Sequence, residues 1–252
     1  MTYTVEAVSA AMDLLFLVAQ QPDLGVTELA KRSGTTKARA FRLLGTLEES
    51  GLVRRKEPLA TYSLGYRALF IGAAAQEQVN ITNLAKFHLP EIGQRCKETV
   101  LVRVRDNLET VCVAWWDAPN AIRIHTQMGD RRPLYVGASG KLLLAYAPED
   151  VQEKVLAAGR EQYTANTITK RSQLEKELKK IREQGYSVSL AEKVADTIAA
   201  AVPIRDATNS VIGSLSMTAP ASRVSKEELP HYIDILQTGA QAFSADLGYV
   251  QK

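Results

Sequence analysis

Residues 34–44 read GTTKARAFRLL, and their spacing decides what the N-terminal part of the chain can be. Lys37, Arg39 and Arg42 are cationic, while Ala40, Phe41, Leu43 and Leu44 are apolar and spaced to meet a core. At 3.6 residues per turn, Thr35, Arg39, Arg42 and Thr46 share one face of a helix. Ala40, Leu44 and Leu47 share the other, flanked by Phe41 and Leu43. Thr35 or Thr36 is placed to cap the start, and Gly51, after Ser50, supplies a C-terminal stop. One face is built to pack and the other to stay free and positive.

Upstream, the spacing of Val8, Met12, Leu15 and Val18 with Ala19 predicts a helix over 5–20, facing its core with those residues. The run QPDLG breaks it, Thr27 is a candidate cap for a short second helix with Leu29 and Ala30 inward, and Ser33-Gly34 ends that helix. Downstream, 52–55 and 61–64 read as short strands joined by a turn containing Lys56, Glu57 and Pro58. Helix, helix, turn, helix and hairpin within about 65 residues make a winged helix-turn-helix. Charge supports this reading. All the lysines and arginines of the first 66 positions fall between Lys31 and Lys56, opposed there only by Glu48 and Glu49, although the whole chain carries just +3. A local basic patch of this kind is the footprint of a polyanion. Arginine suits guanine edges, because its fork meets O6 and N7 together, so Arg39 and Arg42 are candidate base readers beside Thr35 and Thr36. Lys37, Arg54, Arg55 and Lys56 are candidate phosphate contacts.

The remaining sequence has another character. Residues 66–80 form an alanine-rich, mostly uncharged linker helix expected to pack against a second copy. From Ile81 a helix to Lys97 precedes strands at 99–105 and 109–117, with Asp106-Asn107 as the turn and 123–126 extending the sheet. Helices follow at 141–146, 149–157 and 171–185, then strands at 186–190, 199–204 and 211–218, and a last helix at about 225–248. The whole is an α+β chain of two domains, 1–65 and 81–252, the second an antiparallel sheet with flanking helices. Two cysteines, Cys96 and Cys112, make no disulfide framework and no metal motif, and His88, His125 and His231 are isolated from one another. The N-terminus lacks the pattern of a signal peptide and nothing approaches the length of a membrane span, so a cytoplasmic protein without cofactor or membrane partner is expected.

Several sharper motifs weaken on inspection. GASGK at 137–141 is no phosphate loop: Tyr135 stands where that loop needs its first glycine, and Leu142 where it needs Ser or Thr. Trp115 and Trp116 are adjacent in a strand and point to opposite faces, so they read as one core and one surface residue. Ser139 sits in no G-x-S-x-G elbow, which leaves an enzyme reading without a nucleophile–base set.

Across almost its full length the sequence resembles the IclR-type bacterial transcriptional regulators. The resemblance is carried by TELAKRSGTTKARAFRLLGTLEESGLV with YSLGYR, by RRPLYVGASGKLLLAY, by EKELKKIREQGYSVSLAEKVADTIAAAVPIRD and by VIGSLSMTAPASRVS. It implies a winged helix on operator DNA, a GAF-like effector domain for a small organic acid, and dimers or dimers of dimers. By position it implies an effector pocket in which Ala138 and Ser139 offer backbone N–H groups at a helix N-terminus. Ser189, Ser216 and Thr218 would offer hydroxyls there, and Ile124, Thr197 and Ala199 would shape its wall. Two positions depart from the family pattern. Ser189 stands where some members have an acidic residue, and Asp196 where glycine is frequent in the turn after Glu192. The function expected is a ligand-responsive DNA-binding regulator. The alternatives are a DNA-binding protein whose C-terminal domain only oligomerises, and a small-molecule enzyme.

Overall fold

The computed structural model describes residues 4–78 and 81–250, so the end of the expected linker at 79–80 lies outside the described residues. The chain separates into two compact units, 1–79 and 80–252.

The first unit contains α1 (Glu6–Gln20), β1 (Leu24–Gly25), α2 (Val26–Arg32), α3 (Lys37–Glu49), β2 (Val53–Lys56), β3 (Thr61–Leu64) and α4 (Tyr66–Gln78). Its core is Leu14 and Val18 of α1, Leu29 and Ala30 of α2, Ala40, Leu44 and Leu47 of α3, and Val53 and Tyr62 of the hairpin. The hairpin pairs β2 with β3 in antiparallel register, and β1 adds a short third strand on β3. Helix α3 begins at Thr36, whose side chain accepts the Arg39 N–H, and ends where Gly51 takes φ +75°. There Leu52 N–H donates to the Leu47 carbonyl at 2.9 Å, which satisfies an end group that the helix leaves open.

Three expectations fail in this unit. Thr27 lies inside α2, whose N-cap is Gly25 with no side-chain cap. Val8, Met12 and Ala19 are exposed rather than inward, because Leu14 and Val18 carry the core face of α1. Together with Val5 and Phe16, Val8 and Met12 form a second apolar stripe at helical spacing on the opposite side. Phe41 is also exposed (54%), although Ala40 beside it is fully buried.

The second unit is built on one antiparallel sheet. Its elements are α5 (Ile81–Cys96), β4 (Thr99–Asp106), β5 (Glu109–Trp116), β6 (Arg131–Pro133), α6 (Gly137–Ala145), α7 (Glu149–Ala157), α8 (Arg171–Gln184), β7 (Ser187–Leu190), β8 (Thr197–Arg205), β9 (Val211–Pro220) and α9 (Leu229–Asp246). The strand order is β6-β5-β4-β9-β8-β7. Segment 123–126 is not a strand; Ile124 presents its carbonyl to the Thr99 hydroxyl instead (3.0 Å). The β4–β5 turn is Asn107-Leu108, one residue later than expected, with Asn107 at φ +55°. Helix α6 starts at Gly137, four residues before the expected start.

The two faces of this sheet differ chemically. Period-two alternation sends Val100, Val102, Leu215, Met217, Ala200 and Val202 to one face, where α5 and α9 complete an apolar core. The other face carries two rows in register. One is Leu101, Ser216, Ala201 and Ser187, and the next is Thr99, Thr218, Ala199 and Ser189. Rows so rich in serine, threonine and alanine cannot fill an interior, so the face stays partly open under α6. The free edge at β7 is closed by side chains: Gln184, Lys141 and Asn166 donate to the carbonyls of Tyr186 (2.7 Å), Val188 (2.8 Å) and Leu190 (3.1 Å).

Candidate nucleic-acid interface and ligand cavity

On α3 the core residues leave Thr35, Ala38, Arg42, Gly45 and Thr46 facing outward, with Arg39 on one flank and Phe41 on the other. The Arg39 guanidinium is partly exposed and touches Glu6 of α1 at 3.4 Å. Lys37 and Arg42 are exposed and make no ion pair among the described residues. Thr36 spends an acceptor lone pair on the cap, which leaves its O–H free to donate. In the wing, Arg54 donates to the Ser63 hydroxyl (3.1 Å), Arg55 lies 3.3 Å from Glu57, and Lys56 lies 2.7 Å from Asp23. The two ion pairs, Arg55–Glu57 and Lys56–Asp23, are solvent-accessible contacts of the kind that contribute little to stability, so those cations remain available to a stronger anion. The first unit thus presents the eight candidate residues on α3, at its start and on the wing.

In the second unit one cavity opens between the hydroxyl-rich face of the sheet and the start of α6. Ile124, Ala138, Ser139, Ser189, Thr197, Ala199, Ser216 and Thr218 all line it. The segment 137–141 shows why each of its distinctive residues is needed. Gly137 takes φ +78°, which costs a side-chain-bearing residue strain. Gly140 passes so close to the chain at Pro133 and Leu134 that a Cβ there would lie 2.9 Å from a carbonyl oxygen. Ser139 donates to Ser216 Oγ at 3.0 Å. Lys141, 1% exposed, spends its three donors on Glu192 Oε1 (2.6 Å), Glu177 Oε1 (2.8 Å) and the Val188 carbonyl (2.8 Å).

Glu192 ties the lip of the cavity to this helix. Its other carboxylate oxygen accepts the Gly137 N–H at 3.2 Å, and its backbone carbonyl accepts from Thr167 at 2.7 Å. Burial pushes the Glu192 carboxyl upward, and Lys141 and the Gly137 amide pull it back. With Gly137 so engaged, Ala138 and Ser139 are left at the N-terminus without an intrahelical acceptor, and no side chain caps them. Asp196 adopts φ +54°, which accounts for the glycine that the family pattern favours there.

Sequence reasoning missed the far wall. Arg103, Arg132 and Lys193 also line the cavity. Arg103 is buried and donates to Thr110 Oγ1 (3.2 Å) and the Asp130 carbonyl (2.9 Å), and pairs with the Asp130 carboxylate, as does Arg132 (3.0 Å). The Lys193 ammonium sits 3.0 Å above the Tyr163 ring, and burial lowers its pKa. Thr126 also lines the cavity, with its hydroxyl buried. The only signal for the arginine wall was Arg103 alternating in phase with Thr99 and Leu101. No histidine lines the cavity among the described residues. Cys96 and Cys112 are buried free thiols, Cys96 pushed up to about 12 by burial. Trp116 packs against Gly93 of α5, and neither tryptophan reaches the cavity.

A winged helix joined to a sheet domain with a polar cavity defines a DNA-binding transcriptional regulator. Two family matches agree: the IclR helix-turn-helix domain over residues 7–57 and the bacterial transcriptional regulator IclR C-terminal domain over residues 73–245. The chain belongs to the IclR family. It is 31% identical over 247 residues to the HTH-type transcriptional regulator KdgR of Escherichia coli K12, covering 98% of this chain and 94% of KdgR. To KipR of Bacillus subtilis 168 it is 28% identical, covering 97% and 98%. Among solved structures, the Agobacterium tumefaciens repressor BlcR superposes with a TM-score of 0.83 at 26% identity, over 99% of this chain and 100% of BlcR. Among the described residues no helix is long and apolar enough to cross a membrane.

Proposed function

We propose that this regulator binds operator DNA through α3 and the wing, and that a small organic acid in the C-terminal cavity modulates that binding. The observation that carries the effector reading is the uncapped N-terminus of α6, opening into a cavity floored by Ser216, Thr218 and Ser189. Such a terminus attracts a carboxylate through its unpaired amides and the helix dipole. The hydroxyls around it suit the oxygens of the rest of a small acid. The chain acts as a homodimer or dimer of dimers: the exposed stripe Val5, Val8, Met12 and Phe16 on α1, with Tyr66, Leu69, Phe70 and Ile71 on α4, is apolar surface that a second copy would cover. Two winged helices would then read half-sites about 10 base pairs apart, or a multiple of that. The protein performs no catalysis and works in the cytoplasm.

Calorimetry against a panel of small carboxylic acids, followed by gel-shift titration with and without any acid that binds, tests the effector reading. A bound acid is expected to change operator affinity by about 1–3 kcal/mol. A broad panel that yields no binding would reduce the C-terminal unit to an oligomerisation module. Arg42→Ala is expected to cost about 1–3 kcal/mol of operator affinity and to relax specificity at one base pair. Equal weakening on every sequence would reassign Arg42 to the phosphate backbone.

A further inference from the structure

We infer that Phe41 reads the 5-methyl group of a thymine in the major groove, and that it is a specificity-determining residue beside the arginines. The inference rests on α3 being the DNA-reading helix and goes beyond it. Within α3, Ala40, Leu44 and Leu47 are buried, and Phe41 is the large apolar side chain left in solvent. Exposing a phenyl ring forgoes the gain that burial would return, so the position calls for a partner outside the fold.

The surroundings of Phe41 identify that partner. Its helical neighbours one turn away are Ala38 and Gly45, both exposed, and a Cβ at Gly45 would meet nothing within 4 Å. Ala38, Phe41 and Gly45 therefore form a low apolar strip over which the helix backbone can approach a surface closely. Lys37 and Arg42 border the strip with cations that make no ion pair among the described residues, so the occupant is anionic overall and apolar at one point. An apolar patch of a second protein copy does not match this border. Helix α1 meets the other flank of α3, where Arg39 touches Glu6. Phe41 lies on the wing flank, two turns before Glu48, which accepts the backbone N–H of Arg55. A major groove satisfies both conditions: phosphates line its rims, and the thymine methyl is the apolar group on its floor.

The test uses the full-length protein and a duplex selected by it from a random library. Each thymine is replaced in turn by deoxyuridine, which removes only the methyl, and dissociation constants are measured at one salt concentration. The wild type is expected to weaken about fourfold at one symmetry-related pair of positions, the equivalent of about one buried methyl group each. Phe41→Ala, at an exposed site, should keep the wild-type melting temperature, bind the thymine duplex more weakly, and lose the thymine–uracil difference at those positions. Phe41→Leu should retain part of it. A wild type indifferent to every replacement, or a Phe41→Ala variant that keeps the wild-type ratio, would overturn the proposal. A wild type that selects no sequence at all would overturn the DNA-reading role of α3, and this proposal with it.

Discussion

Lys141→Met is expected to destabilise the C-terminal unit by about 3–5 kcal/mol, read as a shift in its denaturant midpoint. The ammonium is the shared partner of Glu192 and Glu177, and it also meets the Val188 carbonyl on the sheet edge. Methionine matches the length of the side chain and removes the charge, which leaves Glu192 buried without its counter-ion; breaking one side of a buried pair costs about that much. The double variant Lys141→Met with Glu192→Gln is the internal control. It should recover more than half of the loss, because glutamine can still accept the Gly137 N–H and carries no charge. A loss under about 1 kcal/mol in the single variant, well short of the cost of stranding a buried charge, would show that water reaches Glu192.

The second large effect belongs to the other unit. Leu44 is fully buried in α3 between α1 and α2, so Leu44→Ala should cost about 2–5 kcal/mol, the sum of lost burial and the cavity left behind. Calorimetry should show the transition of the winged helix moving down while that of the C-terminal unit stays in place, since the two have separate cores. Operator retardation should then disappear at temperatures where the wild type retains it. Joint movement of both transitions would mean that the two units unfold as one.

The α3 helix was legible because three signals coincided on it: a threonine cap, a glycine stop, and a 3.6-residue spacing of Ala40, Leu44 and Leu47. The errors arose where those signals do not discriminate. Periodicity finds an apolar face but does not say whether that face is covered, so the spacing points Val8 and Met12 at the core although Leu14 and Val18 occupy it. The same spacing points Phe41 inward, although burial of apolar residues is only a tendency. Strand β6 escaped notice because three residues ending in Pro133 give no alternation to read. The cavity residues drawn from family resemblance converge in space. The arginine wall does not show in local sequence, because Arg103, Asp130 and Arg132 meet only once β4, β5 and β6 are laid side by side.

The two-sidedness of the central sheet bears on how such a protein can diversify. Positions 101, 199, 216 and 218 line the cavity, and positions 100, 102, 200 and 215 hold the sheet on α5 and α9. The two sets are interleaved along the same strands but point to opposite faces of the sheet. Substitutions in the first set can therefore accumulate with little penalty to the second, and one scaffold can be retuned to new small molecules while its foundation stays unchanged.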